Sequence, residues 1–203
     1  MSEMHNELRD SARQVLNALG APAAESASGQ QIIDLGWLLT SVPEELGGLG
    51  LGVQGACILH TELGRGLASA PFLPAMLAID AVCASDIADK EAWLEKQTTS
   101  FIATAPLADS NGAILRAVQS ADTADHVLVC TSDRVSLAPL AGAQLTPRPT
   151  WDETRRLFDV RLAGGGSIEL AHGEAARKLT ANLNSHRDFA IAADSVGGAA
   201  ALL

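Results

Sequence analysis

Phe189-Ala190-Ile191-Ala192-Ala193-Asp194-Ser195-Val196-Gly197-Gly198-Ala199-Ala200-Ala201-Leu202-Leu203 closes the chain, and apart from its glycines only Asp194 and Ser195 interrupt its apolar character. The run reads as a helix. Phe189, Ala192, Val196, Ala199 and Leu203 mark one face at helical spacing, while Ala190, Ile191, Ala193, Ala200, Ala201 and Leu202 fill the others, and a helix apolar on nearly every side must be enclosed. Ser185 is placed as its N-cap, with Asp188 at the third helical position favourable to the macrodipole. No cap marks its end. At 1.5 Å of rise per residue the segment would reach roughly 22 Å, too short to span a membrane. The expected cover is therefore protein, either a C-terminal helical bundle or a partner subunit.

Working back from that helix, the pattern divides the chain into an α, then β, then α order. Leu8, Ala12, Val15 and Leu19 fall on one helical face, and Gly20 ends that run. A second helix is expected over 30–39, a third over 53–67, a fourth over 74–84 with Pro74 in its first turn, and a short one over 89–97. Between the second and third, Val42-Pro43-Glu44-Glu45-Leu46-Gly47-Gly48-Leu49-Gly50-Leu51-Gly52 is too rich in glycine for regular helix and implies a shaped loop. From about Ser100 the period becomes two. Phe158, Val160 and Leu162 alternate with Asp159 and Arg161, and His126 to Cys130 reads as a buried strand. Turn signals divide this region into six or seven short strands, a small β-barrel or sandwich, with Gly164 to Gly166 as a hairpin turn, and helix returns from about Gly173. The fold class is α+β: an all-α N-terminal domain over 1–98, a shortened middle β-domain over 99–172, and the start of a C-terminal helical bundle over 173–203.

Composition narrows the function. The chain has 203 residues, 47% of them hydrophobic, and a formal charge of −10. No cluster of basic residues is available to track a phosphate backbone, so nucleic acid is excluded as a partner. No apolar stretch is long enough for a spanning helix, and the N-terminus has no basic region followed by a hydrophobic run, so the expected location is cytoplasmic. Cys57, Cys83 and Cys130 each sit alone inside an apolar run and read as reduced structural thiols. No histidine pair has metal-ligand spacing, and no metal is expected. Trp37, Trp93 and Trp151 are expected to anchor packing.

Specific words then give a family. The Gly36-Trp37 pair followed by Val42 to Gly50 is similar to a V-P-E-E-x-G-G-x-G loop, and Glu62-Leu63-Gly64-Arg65 before Pro71 is similar to an E-x-G-R helix end. The segment Ala190 to Leu203 resembles a first long C-terminal helix rich in alanine with a central glycine, and Asp152-Glu153-Thr154-Arg155-Arg156 resembles a D-x-T-R-R word at the end of a β-domain. Together with the α, β, α order these resemble the acyl-CoA dehydrogenase family of flavoenzymes. The resemblance implies FAD-dependent α,β-dehydrogenation of an acyl-CoA thioester in a complete assembly, an acyl-CoA substrate, and homo- or hetero-oligomerisation through C-terminal helices. Glu44 and Glu45 are expected to be solvated or capping carboxylates, since the loop is chiefly architectural in the family.

The same resemblance locates cofactor contacts and their departures. Family members bind FAD through a T-E-P-x-A-G-S-D word, matched here by Thr104-Ala105-Pro106-Leu107-Ala108-Asp109-Ser110-Asn111. It implies that Thr104 bonds the flavin ring and Ser110 the pyrophosphate. Asp109, which replaces a glycine, works against this because its carboxylate repels a diphosphate. The family's W-I-T word corresponds to Ala117-Val118-Gln119, which lacks both the indole that would flank the flavin and the hydroxyl that would bond it. No carboxylate matches the family's catalytic base, so no catalytic residue is assigned. Arg155 and Arg156 read as ion-pairing partners of nearby acids, with a CoA phosphate contact as the alternative. Two functional readings follow: a dehydrogenase whose base and remaining cofactor contacts lie outside these residues, or a non-catalytic subunit of a hetero-oligomeric dehydrogenase with a degenerate flavin site.

Overall fold

A computed structural model describes residues 3–22, 24–96, 99–105 and 114–203. Helices α1 (Glu3–Leu19), α2 (Glu25–Asp34), α3 (Gly52–Arg65), α4 (Phe72–Ala84) and α5 (Lys90–Lys96) come first. Strands β1 (Ala103–Thr104), β2 (Leu115–Gln119), β3 (His126–Cys130), β4 (Arg134–Pro139), β5 (Gln144–Arg148), β6 (Leu157–Arg161) and β7 (Ile168–His172) follow, and helix α6 (Gly173–Ala200) closes the order. The architecture is α+β, as the change of period predicts.

The strands form two sheets, ordered β1-β3-β4-β7 and β2-β6-β5. β1 runs parallel to β3, and the other neighbouring pairs are antiparallel. The expected strand at His126 is buried on both faces. Val127 and Val129 point into a core shared between the sheets with Val118, Phe158 and Val160, whereas Leu128 and Cys130 face a second core built mainly from the helices. Alternation thus serves two cores at once, and the sheet becomes the floor under α4 and α6. Gly164 to Gly166 connect β6 in one sheet to β7 in the other, so this turn is a crossover between sheets and not the hairpin expected from its glycines.

Two helix boundaries differ from the periodicity. α2 starts at Glu25 and stops at Asp34, because Gly36 adopts a left-handed conformation and Trp37–Leu39 resume only as a 3-10 turn. The turn buries Trp37 and Leu38, and their burial produced the helix-like apolar pattern over 30–39. α6 is a single helix from Gly173, about 42 Å long at its rise per residue. Ser185 is therefore not a cap: it lies mid-helix, and its hydroxyl donates to the Ala181 carbonyl at 3.1 Å.

The family-like words prove architectural. A Cβ on Gly48 would lie 2.1 Å from the Val42 carbonyl oxygen, so only glycine closes the loop over Pro43 to Gly50, while Glu44 and Glu45 are exposed. Glu62 is only 2% exposed and accepts from Arg13 Nη2 at 2.7 Å and Nε at 3.1 Å, tying α3 to α1. Two residues on, a Cβ on Gly64 would fall 2.0 Å from the Asp194 carbonyl oxygen, and one on Gly197 would fall 1.8 Å from that of Thr61. α3 and α6 therefore meet backbone to backbone, and the first half of α6 rests Ala176, Leu179 and Leu183 on the sheet.

Candidate functional site

The place where α4, β1, β2 and α6 converge is a groove of about 200 Å³, with Leu73, Pro74, Thr104, Ala117, Gln119 and Ile191 among its walls. The sequence expectation brings Thr104 here. Its side chain is nearly buried, and its hydroxyl donates to the Pro74 carbonyl at 2.5 Å. Gln119, which sequence reasoning set aside as a lost contact, lines the same wall and donates its amide to the Ser69 carbonyl at 3.2 Å. Between them Ala117 takes a left-handed backbone, φ +55°, at an irregularity in the β2–β6 pairing. That conformation is uncommon for a residue with a side chain and persists only when its surroundings dictate it. The dictating contact is Asp159, whose carboxylate accepts the Ala117 N–H at 3.1 Å and is flanked by Arg148 at 3.1 Å and Arg116 at 3.3 Å. Desolvation pushes the Asp159 carboxyl up, but the hydrogen bonds from Arg148 and Ala117 and the two guanidinium charges outweigh it and hold it below the usual carboxylate range.

Next to this groove, and sharing Leu73, Pro74, Gln119 and Ile191 with it, a cavity of about 160 Å³ runs along the α3–α6 seam. His60 forms part of its closed end. It is 6% exposed, its ring packs 5.0 Å from Phe72, and burial pushes its pKa down to about 4, so it is neutral. Asp194, half-buried, stands on the opposite wall; desolvation raises its pKa against the pull of Arg155. A smaller cavity of about 70 Å³ lies between α3, α4 and α6. His186 and Asp80 line it, 2.8 Å apart, and the hydrogen bond to Asp80 raises the His186 pKa despite partial burial.

Of the other residues marked in the sequence, Ser110 lies outside the described residues, as do Pro106 to Asn111 altogether. The Asp152 word is a tight turn: Thr154 donates its N–H and hydroxyl to Asp152 Oδ1 at 3.0 and 2.5 Å. Arg155 pairs with Asp152 at 3.2 Å, and Arg156 pairs with Glu25 at 2.8 Å and with Asp122, so both arginines take the ion-pair reading. Trp37 and Trp93 are buried anchors, but Trp151 is fully exposed on its loop and anchors nothing. Cys130 is buried, Cys57 and Cys83 are partly buried, and all three are free; burial raises the Cys83 and Cys130 thiols to about 11. Among the described residues no group of three His, Cys, Asp or Glu side chains is placed to hold a metal, and no helix is long and apolar enough to cross a membrane. The signal for His60 and Asp194 was present in the sequence, as polar residues inside otherwise apolar helical faces; nothing in the spacing shows that they face one cavity.

Comparison with known proteins agrees with the fold. Residues 2–99 match the family model described as acyl-CoA dehydrogenase, N-terminal domain. The acyl-CoA dehydrogenase IpdE2 of Mycobacterium tuberculosis is 36% identical over 116 residues, which cover 57% of this chain and 34% of that protein. Among solved structures, the glutaryl-coenzyme A dehydrogenase complex with glutaryl-CoA superposes with a TM-score of 0.82 at 16% identity over 99% of this chain. A Tcur3481–Tcur3483 steroid ACAD variant gives 0.78 at 21% over 98%, and the ChsE4–ChsE5 complex from Mycobacterium tuberculosis gives 0.78 at 18% over 97%. These likenesses are of fold. The chain spans 64 to 65% of the length of those three solved chains, and its match to the curated relative covers about a third of that protein.

Proposed function

We propose that this chain, whose residues 2–99 match the acyl-CoA dehydrogenase N-terminal domain, is a subunit of an FAD-dependent acyl-CoA dehydrogenase assembly, contributing architecture and not the flavin-polarising contacts. The carrying observation is the state of the groove wall. A flavin ring presents two carbonyl oxygens and ring nitrogens that accept hydrogen bonds and a single ring N–H that donates, so its holder must offer mainly donors. Here the Thr104 hydroxyl is committed to Pro74, one of the two Gln119 amide hydrogens to Ser69, the Ala117 N–H to Asp159 and the Ala105 N–H to the Leu128 carbonyl at 2.9 Å. What remains is the second Gln119 amide N–H and lone pairs on Thr104 and Gln119. Among the described residues the wall offers a flavin ring one free side-chain donor, fewer than its several acceptors call for.

Two structural neighbours, Tcur3481–Tcur3483 and the ChsE4–ChsE5 complex, are paired proteins and support a hetero-oligomer, with the outward apolar stripe of α6 (Phe189, Ala192, Val196, Ala199) as the surface through which this chain would join it. The second reading, in which this chain binds FAD itself, is favoured by Thr104 standing at the groove, with Ser110 as its pyrophosphate contact. A visible absorption spectrum separates the two. The chain purified alone is expected to be colourless and inactive on acyl-CoA thioesters, and to co-purify with flavin only when co-expressed with a related dehydrogenase subunit. Stoichiometric flavin bound to the chain alone, lost on Thr104→Val, would overturn the supporting role.

A further inference from the structure

We propose that the cleft between α2 and the loops joining β2 to β3 and β5 to β6 is a small-molecule site for a primary ammonium carried on an apolar, ring-sized body. This goes beyond the dehydrogenase reading, and the cleft shares no wall residue with the groove at Thr104 or the cavity at His60. It holds about 730 Å³, within the range of small-molecule sites. Ile33, Pro71 and Phe101 supply its apolar lining, and Glu25, Glu153 and Arg156 its charged lining.

The charged lining is fixed before any ligand arrives. Arg156 donates to Glu25 from Nε at 3.3 Å and from Nη2 at 2.8 Å and also pairs with Asp122, so one guanidinium bridges α2 and the β2–β3 loop. The hydroxyl of Ser120, a residue only 2% exposed, donates to the same Glu25 carboxylate at 2.6 Å. Ser120 takes a left-handed backbone, φ +51°, and its N–H donates to the Arg156 carbonyl at 2.9 Å. In a residue with a side chain, that conformation persists only where the surroundings impose it.

A glycine marks where the body lies. Gly29 sits inside α2 with no left-handed backbone to account for it, and glycine is a poor helix former there. Packing does not ask for it either: an added Cβ would rest 3.4 Å from the Phe101 ring and 3.9 Å from the Ala70 Cβ, ordinary contacts, unlike the backbone clashes that demand Gly64 and Gly197. Gly29 and Phe101 both line the cleft. What the missing methyl leaves is room beside an aromatic ring.

Charge selects the head group. The one guanidinium is matched by Glu25 and Asp122, and Glu153 adds a carboxylate that has no ion-pair partner among the described residues. An anion, a phosphate included, is repelled by that excess. The acceptors still unspent are the Glu153 oxygens and the carbonyl of Gln30, whose amide donates to Asp34 at 2.7 Å, and these suit N–H donors. Glu153 is exposed, so an ammonium beside it keeps part of its hydration and avoids the cost of a buried ion.

The test is a titration of the 15N-labelled full chain with phenethylammonium, read at the Gly29 amide, beside phenylacetate as an anion of similar shape. A saturable shift is expected for the amine, with phenylacetate at least about tenfold weaker. Glu153→Gln should weaken the amine about threefold, as for one exposed charge pair. Glu91→Gln, which removes the same charge from α5, should leave it unchanged. Gly29→Ala discriminates most sharply: its urea midpoint should rise, because alanine is the better helix former, while affinity falls at least about fivefold, the low end for overpacking. A glycine that is merely tolerated would give the rise without the loss, and that result overturns the proposal. It is overturned equally if the Gly29 amide does not respond, if phenylacetate binds as well as the amine, if the two glutamate variants act alike, or if crystals soaked with the amine show it only away from Phe101. Because no residue of the groove is touched, none of these results bears on the dehydrogenase reading.

Discussion

The two faces of α6 carry similar hydropathy and opposite fates. Phe189, Ala192, Val196 and Ala199 form the stripe that helical spacing picks out, and all four are exposed, Phe189 at 44% and Val196 at 63%. The face that packs is Ala190, Ala193 and Gly197, the small residues. Bulk explains the choice. α3 presents its backbone at Thr61 and Gly64, and only a helix face without large side chains allows the two axes to approach closely enough for backbone contact. In a helix apolar all round, size and not hydropathy decides which side turns inward. The larger side chains are left for another surface, consistent with the proposed assembly role.

The sharpest way to break this comparison is to put bulk on the small face. Gly197→Leu would drive a side chain into the Thr61 carbonyl oxygen, 1.8 Å from the position of its first carbon, and neighbouring backbone cannot swing aside as a flexible side chain does. It should destabilise the chain by more than about 3 kcal/mol, the upper range for overpacking. The adjacent Gly198 is the control: its added carbon would rest 3.6 Å from the Gly64 carbonyl oxygen, an ordinary contact. Gly198→Ala should be neutral or stabilising by up to about 1 kcal/mol, because alanine is the better helix former. Urea midpoints of the two variants measure the difference. Equal midpoints would mean that α6 does not depend on close approach to α3.

A second test acts on the seam through pH. His60, on α3, has its pKa depressed by burial from 6.5 to about 4. Below 6.5 the unfolded chain takes up a proton that the folded chain refuses until about pH 4, so stability is lost as pH falls through that window. The full loss is about 3 kcal/mol. His186 has the opposite sign. Its pKa is raised by Asp80, so its contribution is present below the ordinary histidine value and disappears as pH rises through the raised one. Urea midpoints of His60→Gln against the native chain, taken near neutrality and near pH 4, isolate the first effect. The native chain should lose stability on acidification and the variant much less; parallel losses would show that His60 is not kept neutral by the fold.

Much of this was legible in the residues. The shift from a period of 3.6 to a period of 2 after Ser100 gave the α, β, α order, and the loop at Val42 to Gly50 and the Glu62 word marked the scaffold, because their glycines answer local steric demands that spacing reveals. Three things were not legible. Helix is legible from Gly173, but Ser185 has the chemistry of a cap and reads as a new start, whereas α6 runs through it unbroken, and a hydroxyl bonded back to a carbonyl leaves no trace in sequence. The glycines at 164 to 166 looked like a hairpin, since turn chemistry does not say which sheet the next strand will join. The cavity at His60 and Asp194 joins residues from α3, α6 and the loop before β6, and such convergence exists only after packing.

The smallest expected effect tests the large-residue face. Val196→Lys places a charge where the side chain is 63% exposed. The stability of the chain alone should change by no more than about 0.5 kcal/mol, as for surface substitutions. Its association with a co-expressed dehydrogenase subunit, followed by sedimentation velocity, should weaken, because burying the lysine charge against an apolar partner is costly. If Val196→Lys instead lowers the urea midpoint as far as Gly197→Leu does, the outward stripe is part of the chain's own packing, and the distinction between the two faces of α6 collapses.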